Sequence, residues 1–339
     1  MNKNVSFLIG LSCLLLLFSC RNAADRQDNI SVHAIEVSDF RGKTISLNKP
    51  AERIVCLIES ALSGLYMLGA ENQVIGISTN VYTDKIFEQY ALMDKRIREK
   101  QIPAPGNWDF INLEKVLSLK PDLVIIWASQ DEAIRQMETH GIQVYGVMLK
   151  SIDDIYKEIS DLGLLTGKEA RADSLITYSK KQLNQISEMP VPAGQKKKVY
   201  FAWAQGLTET SGTNSTVNEL ITLAGAVNAC PLSEEHLTVN IERIFDWNPD
   251  LIVLWYNESM EPDELQNISG WNSLPAVKSR QVFELPSVFY CDLWTLKFQF
   301  AVRLLRHWCY PEQAGTFNPE EEKRQMLDFL YGEKAKLLK

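Results

Sequence analysis

The sequence predicts an α/β protein of two Rossmann-like lobes, each built on a parallel central sheet and joined to the other by a long α-helix. Three observations carry that expectation. Short β-branched runs alternate with helical stretches in both halves of the 339 residues. A segment recurs: residues 112–127 read NLEKVLSLKPDLVIIW and residues 240–255 read NIERIFDWNPDLIVLW, with six of sixteen positions identical at a register of 128 residues. Between the halves, residues 151–188 read as helix almost throughout. A chain of this length is also long enough for two domains.

The elements follow in order. Lys3 and the apolar run from Phe7 to Phe18 read as a signal peptide over residues 1–19, too short for a comfortable membrane span. The run closes on Leu17-Phe18-Ser19-Cys20, and a small residue followed by Cys resembles a bacterial lipobox. The implied mature chain begins at Cys20 with lipid on its thiol and amine; an ordinary secretory signal with an incidental Cys is the other reading. Residues 20–33 are polar and read as a flexible tether. The first lobe is expected over 34–150, with strands at 53–58, 73–78, 122–127 and 143–148 and helices at 61–68, 112–119 and 130–139. Their apolar runs lack polar alternation, which suits a parallel sheet covered on both faces. Gly69 and Gly141 fall at helix ends. The helical linker spans 151–189, opened by Ser151 and Asp154 and broken near Gly163 and Gly167; its second part, from Lys168, makes the long helix. The second lobe, 190–315, repeats the pattern with strands at 198–203, 250–255 and 281–286 and helices at 215–224, 240–247 and 295–308. Residues 316–339 hold a final helix, 320–331, expected to pack on the surface.

Composition narrows the function. A net charge of −8 without a basic cluster opposes nucleic-acid binding, because phosphate contacts need Lys and Arg. The same charge is repelled by anionic lipid, so membrane attachment falls to the lipid on Cys20. Cys56, Cys230, Cys291 and Cys309 remain in the mature chain without a CxxC or Cys/His cluster, which disfavours structural zinc. Cys56 reads as a buried free thiol, and pairing among the others is open. Walker, dinucleotide-glycine, nucleophile-elbow and HExxH motifs are absent, so the chain is expected to bind rather than catalyse.

These pieces together resemble the periplasmic binding proteins for cobalamin and iron–siderophore complexes, the rigid class with one helix joining two lobes. The likeness rests on PAERIVCLIESALSGLYMLGAENQVIGIS (50–78), INLEKVLSLKPDLVIIW (111–127), KKVYFAWAQGLTETSGTNSTVNELITLAGAVN (197–228), NIERIFDWNPDLIVLW (240–255), WNSLPAVKSRQVFELP (271–286) and HWCYPE (307–312). It covers about residues 40–315. The resemblance implies a lipid-anchored carrier in the cell envelope, with no cofactor of its own. The carrier would take a metal chelate (a ferric siderophore, haem or cobalamin) to the permease dimer of an ABC importer. A cell-surface scavenger working with an outer-membrane receptor, and an exported haem- or corrinoid-modifying enzyme, are the alternatives.

Two groups of residues could carry that function. Glu114 and Glu242 occupy the same position in the two repeats, second in an Asn-capped helix. The resemblance makes them docking points for Arg clusters on a two-fold permease; a carboxylate in a first helical turn also simply favours the helix dipole. Trp108, Trp127, Trp203, Tyr290 and Trp294 fall near strand C-terminal ends, where open α/β sheets bind ligands. The resemblance places Trp108, Trp127 and Tyr290 at or near cleft aromatics, and broad rings suit a broad chelate. Packing between lobe and helix is the alternative for each. His236, six residues before Glu242, could ligate an open metal position or lie solvated in its loop. The loop TETSGTNST (208–216) could hold an anionic group or be a capped turn, and DKRIREK (94–100) could face an acidic siderophore or water.

Overall fold

Strands apolar on both faces need cover on both, and here helices follow the strands of each sheet. The computed structural model describes residues 34–191, 194, 196–256, 260–313 and 317–338; the signal run, Cys20 and the polar tether lie outside them. An antiparallel hairpin of β1 (Ile35–Ser38) and β2 (Thr44–Leu47) precedes the first sheet. Then come β3 (Ile54–Cys56), α1 (Glu59–Leu68), β4 (Val74–Ile77) and three short helices, α2 (Asn80–Thr83), α3 (Phe87–Met93) and α4 (Lys95–Arg98). The lobe closes with α5 (Leu113–Ser118), β5 (Leu123–Trp127), α6 (Asp131–Thr139) and β6 (Gln143–Val147). The linker is α7 (Ile152–Thr166) and α8 (Glu169–Ser187).

The second lobe holds β7 (Lys198–Ala202), β8 (Glu209–Thr210), α9 (Thr216–Leu223), β9 (Val227–Asn228), β10 (Leu237–Thr238), α10 (Ile241–Trp247) and β11 (Leu251–Leu254). It continues through α11 (Pro275–Lys278), β12 (Val282–Glu284) and α12 (Phe298–Cys309) to α13 (Pro319–Tyr331) and a 3₁₀ segment, Gly332–Leu338.

Two separate four-stranded parallel sheets result, ordered β4-β3-β5-β6 and β9-β7-β11-β12. Numbered along each lobe, both orders are second-first-third-fourth. The repeated segments therefore lie in different sheets, each on an inner strand. Their likeness has a local cause. Asn112 Oδ1 accepts from Lys115 N at 2.9 Å, and Asn240 Oδ1 accepts from Arg243 N at 3.1 Å. Lys120 and Asn248 take the same left-handed turn, φ 48° and 47°. Asp122 accepts the backbone N–H groups of Glu52 and Arg53, and Asp250 that of Lys198, so each aspartate pins the start of the neighbouring strand.

Ser151 caps α7 by accepting from Asp154 N, and Gly167 ends it at φ 68°. The 19 residues of α8 span about 28 Å at 1.5 Å each. The end of the chain does more than cover a surface. Tyr331 OH meets Ser63 Oγ at 2.8 Å, Lys334 pairs with Glu71 at 2.6 Å, and Met326, Leu330, Tyr331 and Ala335 are buried. Arg171 of α8 donates to Met67 O of α1 and to Phe329 O and Leu330 O of α13, tying three helices at one side chain. Cys56, Cys230, Cys291 and Cys309 are free and buried. Among the described residues no helix is long and apolar enough to cross a membrane.

Candidate functional site

In a sheet ordered second-first-third-fourth, the crevice at the carboxyl ends opens between first and third strands. That rule locates a cavity of about 610 Å³ between the lobes. Its first-lobe wall comes from the segments after β3 (Glu59, Ser60), β4 (Asn80–Ile86) and β5 (Trp127). Its second-lobe wall comes from Tyr256 after β11 and from residues 287–294 after β12. The volume lies within the roughly 300–1,000 Å³ of small-molecule sites.

Trp127, Tyr256, Phe289 and Trp294 supply broad apolar surface, and Glu59, Asp84, Lys85 and Asp292 supply charge. Ser78 Oγ donates to Glu59 Oε1 at 2.6 Å, and burial pushes the Glu59 pKa upward. Asp292 is 7% exposed and accepts from Trp294 N at 2.9 Å; burial raises its pKa as well, against the pull of nearby Lys297. Behind the cavity wall, the Lys297 ammonium lies 4.7 Å from the Phe289 ring centroid and burial lowers its pKa to about 8. Glu158 on α7 is buried too, and desolvation lifts it to about 8. Asp292 is thus both a cavity wall and part of a charged group beneath it.

The sequence-nominated residues fall in several places. Trp127 and Trp294 line the cavity together. Trp203 is buried behind Trp294, the rings stacked 5.8 Å apart at 9°, with Trp203 Nε1 donating to Ser211 Oγ at 2.9 Å. His236 packs against Trp203 at 4.8 Å, and burial lowers its pKa, which favours the neutral imidazole. Trp108 is 58% exposed and lines a separate depression with Asp131 and Arg135. Its loop meets the main site through Asn107, whose Nδ2 donates to Asn80 Oδ1 at 2.9 Å. Tyr290 lines another cavity, of about 600 Å³, beneath α13, with Lys323 over its ring. Among the described residues no cluster of three His, Cys, Asp or Glu could hold a metal ion.

Glu114 and Glu242 are exposed in the first turns of α5 and α10 and take part in no ion pair among the described residues. The donors of the 208–216 loop are turned inward: Gly212 N to Glu234 O, Thr213 N to Leu232 O and Thr216 N to Glu235 Oε2. In DKRIREK, Asp94 caps α4 and pairs with Arg96, which also donates to Val74 O and Glu71 O; that segment serves the lobe's own structure. Sequence reasoning missed Glu59, Tyr256, Phe289 and Asp292. Their one available signal was position: Glu59 and Tyr256 directly follow a predicted strand, and Phe289 and Asp292 lie in the loop after another.

The sequence profile described as periplasmic binding protein matches residues 54–289. The chain belongs to the periplasmic binding protein family. The match spans both sheets and the linker helices, so the two lobes are the family's two lobes. An ABC transporter substrate-binding lipoprotein of Bacillus subtilis, YvrC, is 27% identical over 289 residues, 81% of this chain and 87% of that protein. The molybdate-binding protein MolA of Haemophilus influenzae is 23% identical, covering 89% of this chain and 90% of its own. A periplasmic solute binding protein from Veillonella parvula superposes with a TM-score of 0.74 at 23% identity, over 87% of this chain and 92% of that one. These relatives are named for binding and transport.

Proposed function

We propose that this periplasmic binding protein captures a bulky metal chelate, such as a ferric siderophore, haem or cobalamin, and delivers it to the permease dimer of an ABC importer. A lipid on Cys20 holds it at the membrane. The observation that carries the reading is the cavity of about 610 Å³ walled by both lobes, with Trp127 on one side and Trp294 on the other. Two indoles of this kind suit a broad, partly apolar complex by stacking and by area removed from water. A bare oxyanion is best held by convergent cationic donors, and among the described residues no arginine lines this cavity. The kinship with an ABC substrate-binding lipoprotein supports the importer and the anchor. Glu114 and Glu242, exposed at matching positions of the two lobes, suit charge-assisted docking on a two-fold partner.

Titrating haemin, cobalamin and several ferric siderophores against the purified protein, read by tryptophan quenching and calorimetry, tests the capture step. Saturable 1:1 binding of at least one is expected; silence towards all of them removes the chelate reading. For delivery, Glu114→Ala with Glu242→Ala should leave ligand affinity intact and weaken binding to the reconstituted permease about tenfold or more, as expected for lost charge-assisted contacts. Unchanged permease binding would favour a scavenger that works with another receptor.

A further inference from the structure

The cleft's charged groups are mostly acidic, Glu59, Asp84 and Asp292 against Lys85. Glu59 comes from the first lobe and Asp292 from the second; both line the cavity, and the charges of Asp84 and Asp292 add to the cost that burial sets on ionising Glu59. Glu59 Oε1 takes the Ser78 hydroxyl and Asp292 Oδ1 takes Trp294 N. Gln89 lines the same cavity, and its carbonyl Oε1 is buried without a donor. Ser60, 7% exposed on the same wall, leaves its Oγ unpartnered. Asp84 adds a third carboxylate to the lining.

Positive charge is sparse by comparison. Among the described residues Lys85 is the one cationic side chain of the lining, and it is exposed where Asp292 is buried. Lys297 is 2% exposed, sits behind Phe289 and does not line the cavity. Carboxylates that share one partly buried cavity repel, and burial strengthens the repulsion. A cation between them removes that repulsion and gains charge-assisted hydrogen bonds. The indole and phenyl faces of Trp127, Trp294 and Phe289 attract a cation by the same sign of charge. An anion meets repulsion from the carboxylates.

We propose that the cleft selects a ligand carrying a positively charged, hydrogen-bond-donating group, received between Glu59 of the first lobe and Asp292 of the second, and rejects anionic chelates and oxyanions. The inference rests on the cleft being the ligand site and narrows the chelates it would hold. It also separates this chain from its molybdate-binding relative, whose ligand is an oxyanion.

The test uses probes matched in shape and opposed in charge. Tetraphenylphosphonium and tetraphenylborate form one pair. Ferrioxamine B, a ferric trihydroxamate with a pendant ammonium, and its N-acetylated form make a second; haemin and molybdate are the anionic challengers. Calorimetry on the full chain should show the phosphonium and ferrioxamine B binding about tenfold or more tighter than borate and the acetylated form, the scale of one charged hydrogen bond. Glu59→Gln with Asp292→Asn should bring each ratio close to one. Glu59→Gln alone, which keeps an acceptor for Ser78, should lower it partway and serves if the double variant does not fold. Borate binding as tightly as phosphonium, haemin or molybdate binding tighter than every cationic probe, or a charge preference surviving in the variants, overturns the proposal. Charge preference among the phenyl ions with no chelate bound would keep it and remove the chelate reading. A bound anionic chelate would do the reverse, and binding of no probe at all overturns both.

Discussion

Trp294 walls the cavity, packs its ring on Trp203 and Trp255, and orients Asp292 through its backbone N–H. Truncating its ring removes a large flat surface while leaving the N–H in place. Trp294→Ala should therefore weaken ligand binding by about 2 kcal/mol or more, roughly thirtyfold, as measured by calorimetry at a temperature where the variant stays folded; loss of its packing on Trp203 should also lower the melting temperature. Trp108→Ala tests the exposed aromatic loop, where an unchanged affinity would remove Trp108 from the site. Glu158 gives a residue-scale prediction of another kind. Its carboxyl is buried with Oε1 unpartnered, and desolvation lifts its pKa from 4.5 to about 8. A carboxyl raised on folding adds stability below its unfolded pKa and loses it as pH climbs towards its folded one. Relative to Glu158→Gln, the wild type should lose stability between pH 5 and 8, at up to ~1.4 kcal/mol per pH unit for one proton. Melting curves of both proteins at the two pH values check this, and parallel curves would contradict it.

Close packing of α7 on α8 depends on one small residue. A Cβ added at Gly163 would come 2.6 Å from Ala172 Cβ, so Gly163→Ala should push the two helices apart and cost about 1–3 kcal/mol. Ala172→Gly on the same chain should restore part of it, which thermal denaturation of the single and double variants measures. Elements of this kind were legible because their signals are local: Gly167 beyond α7, Ser151 before it, the Asn caps and Pro-Asp turns of the repeat, and apolar runs for the inner strands. The β1–β2 hairpin and the two-residue pair β8–β10 were not, since such short strands are defined by pairing rather than by composition. The site was legible in part. Trp127 and Trp294 stand out as large rings near strand ends. Glu59 and Asp292 look like any loop acid, and acquire meaning only when the lobes face each other. Tyr290 and Trp108 satisfy the same sequence criterion as Trp294, yet local sequence does not say which way a loop turns.

At the scale of the molecule, the lobes are joined by more than α8. The terminal segment adds Tyr331–Ser63 and Lys334–Glu71, and stacks Phe329 on Tyr178 with ring centroids 3.9 Å apart. This bracing favours a small hinge over a wide closure, so scattering curves with and without bound ligand should nearly superpose. Removing residues 317–339 should lower the melting temperature, because Ser63, Glu71 and the backbone of Phe329 and Leu330 at Arg171 lose or leave their partners. Oxidation state should matter little: Cys56, Cys230, Cys291 and Cys309 are buried free thiols, inert to a thiol reagent until the protein unfolds.

The return of the last helix to the first lobe also orders events in time. A ribosome releases residue 63 long before residue 331, so the early half of the chain must wait with an unfilled apolar seam until the tail arrives to seal it. Folding to the finished state is thereby reserved for the completed polypeptide, and a chain cut short near its end would leave that seam open to chaperones, proteases and its own kind.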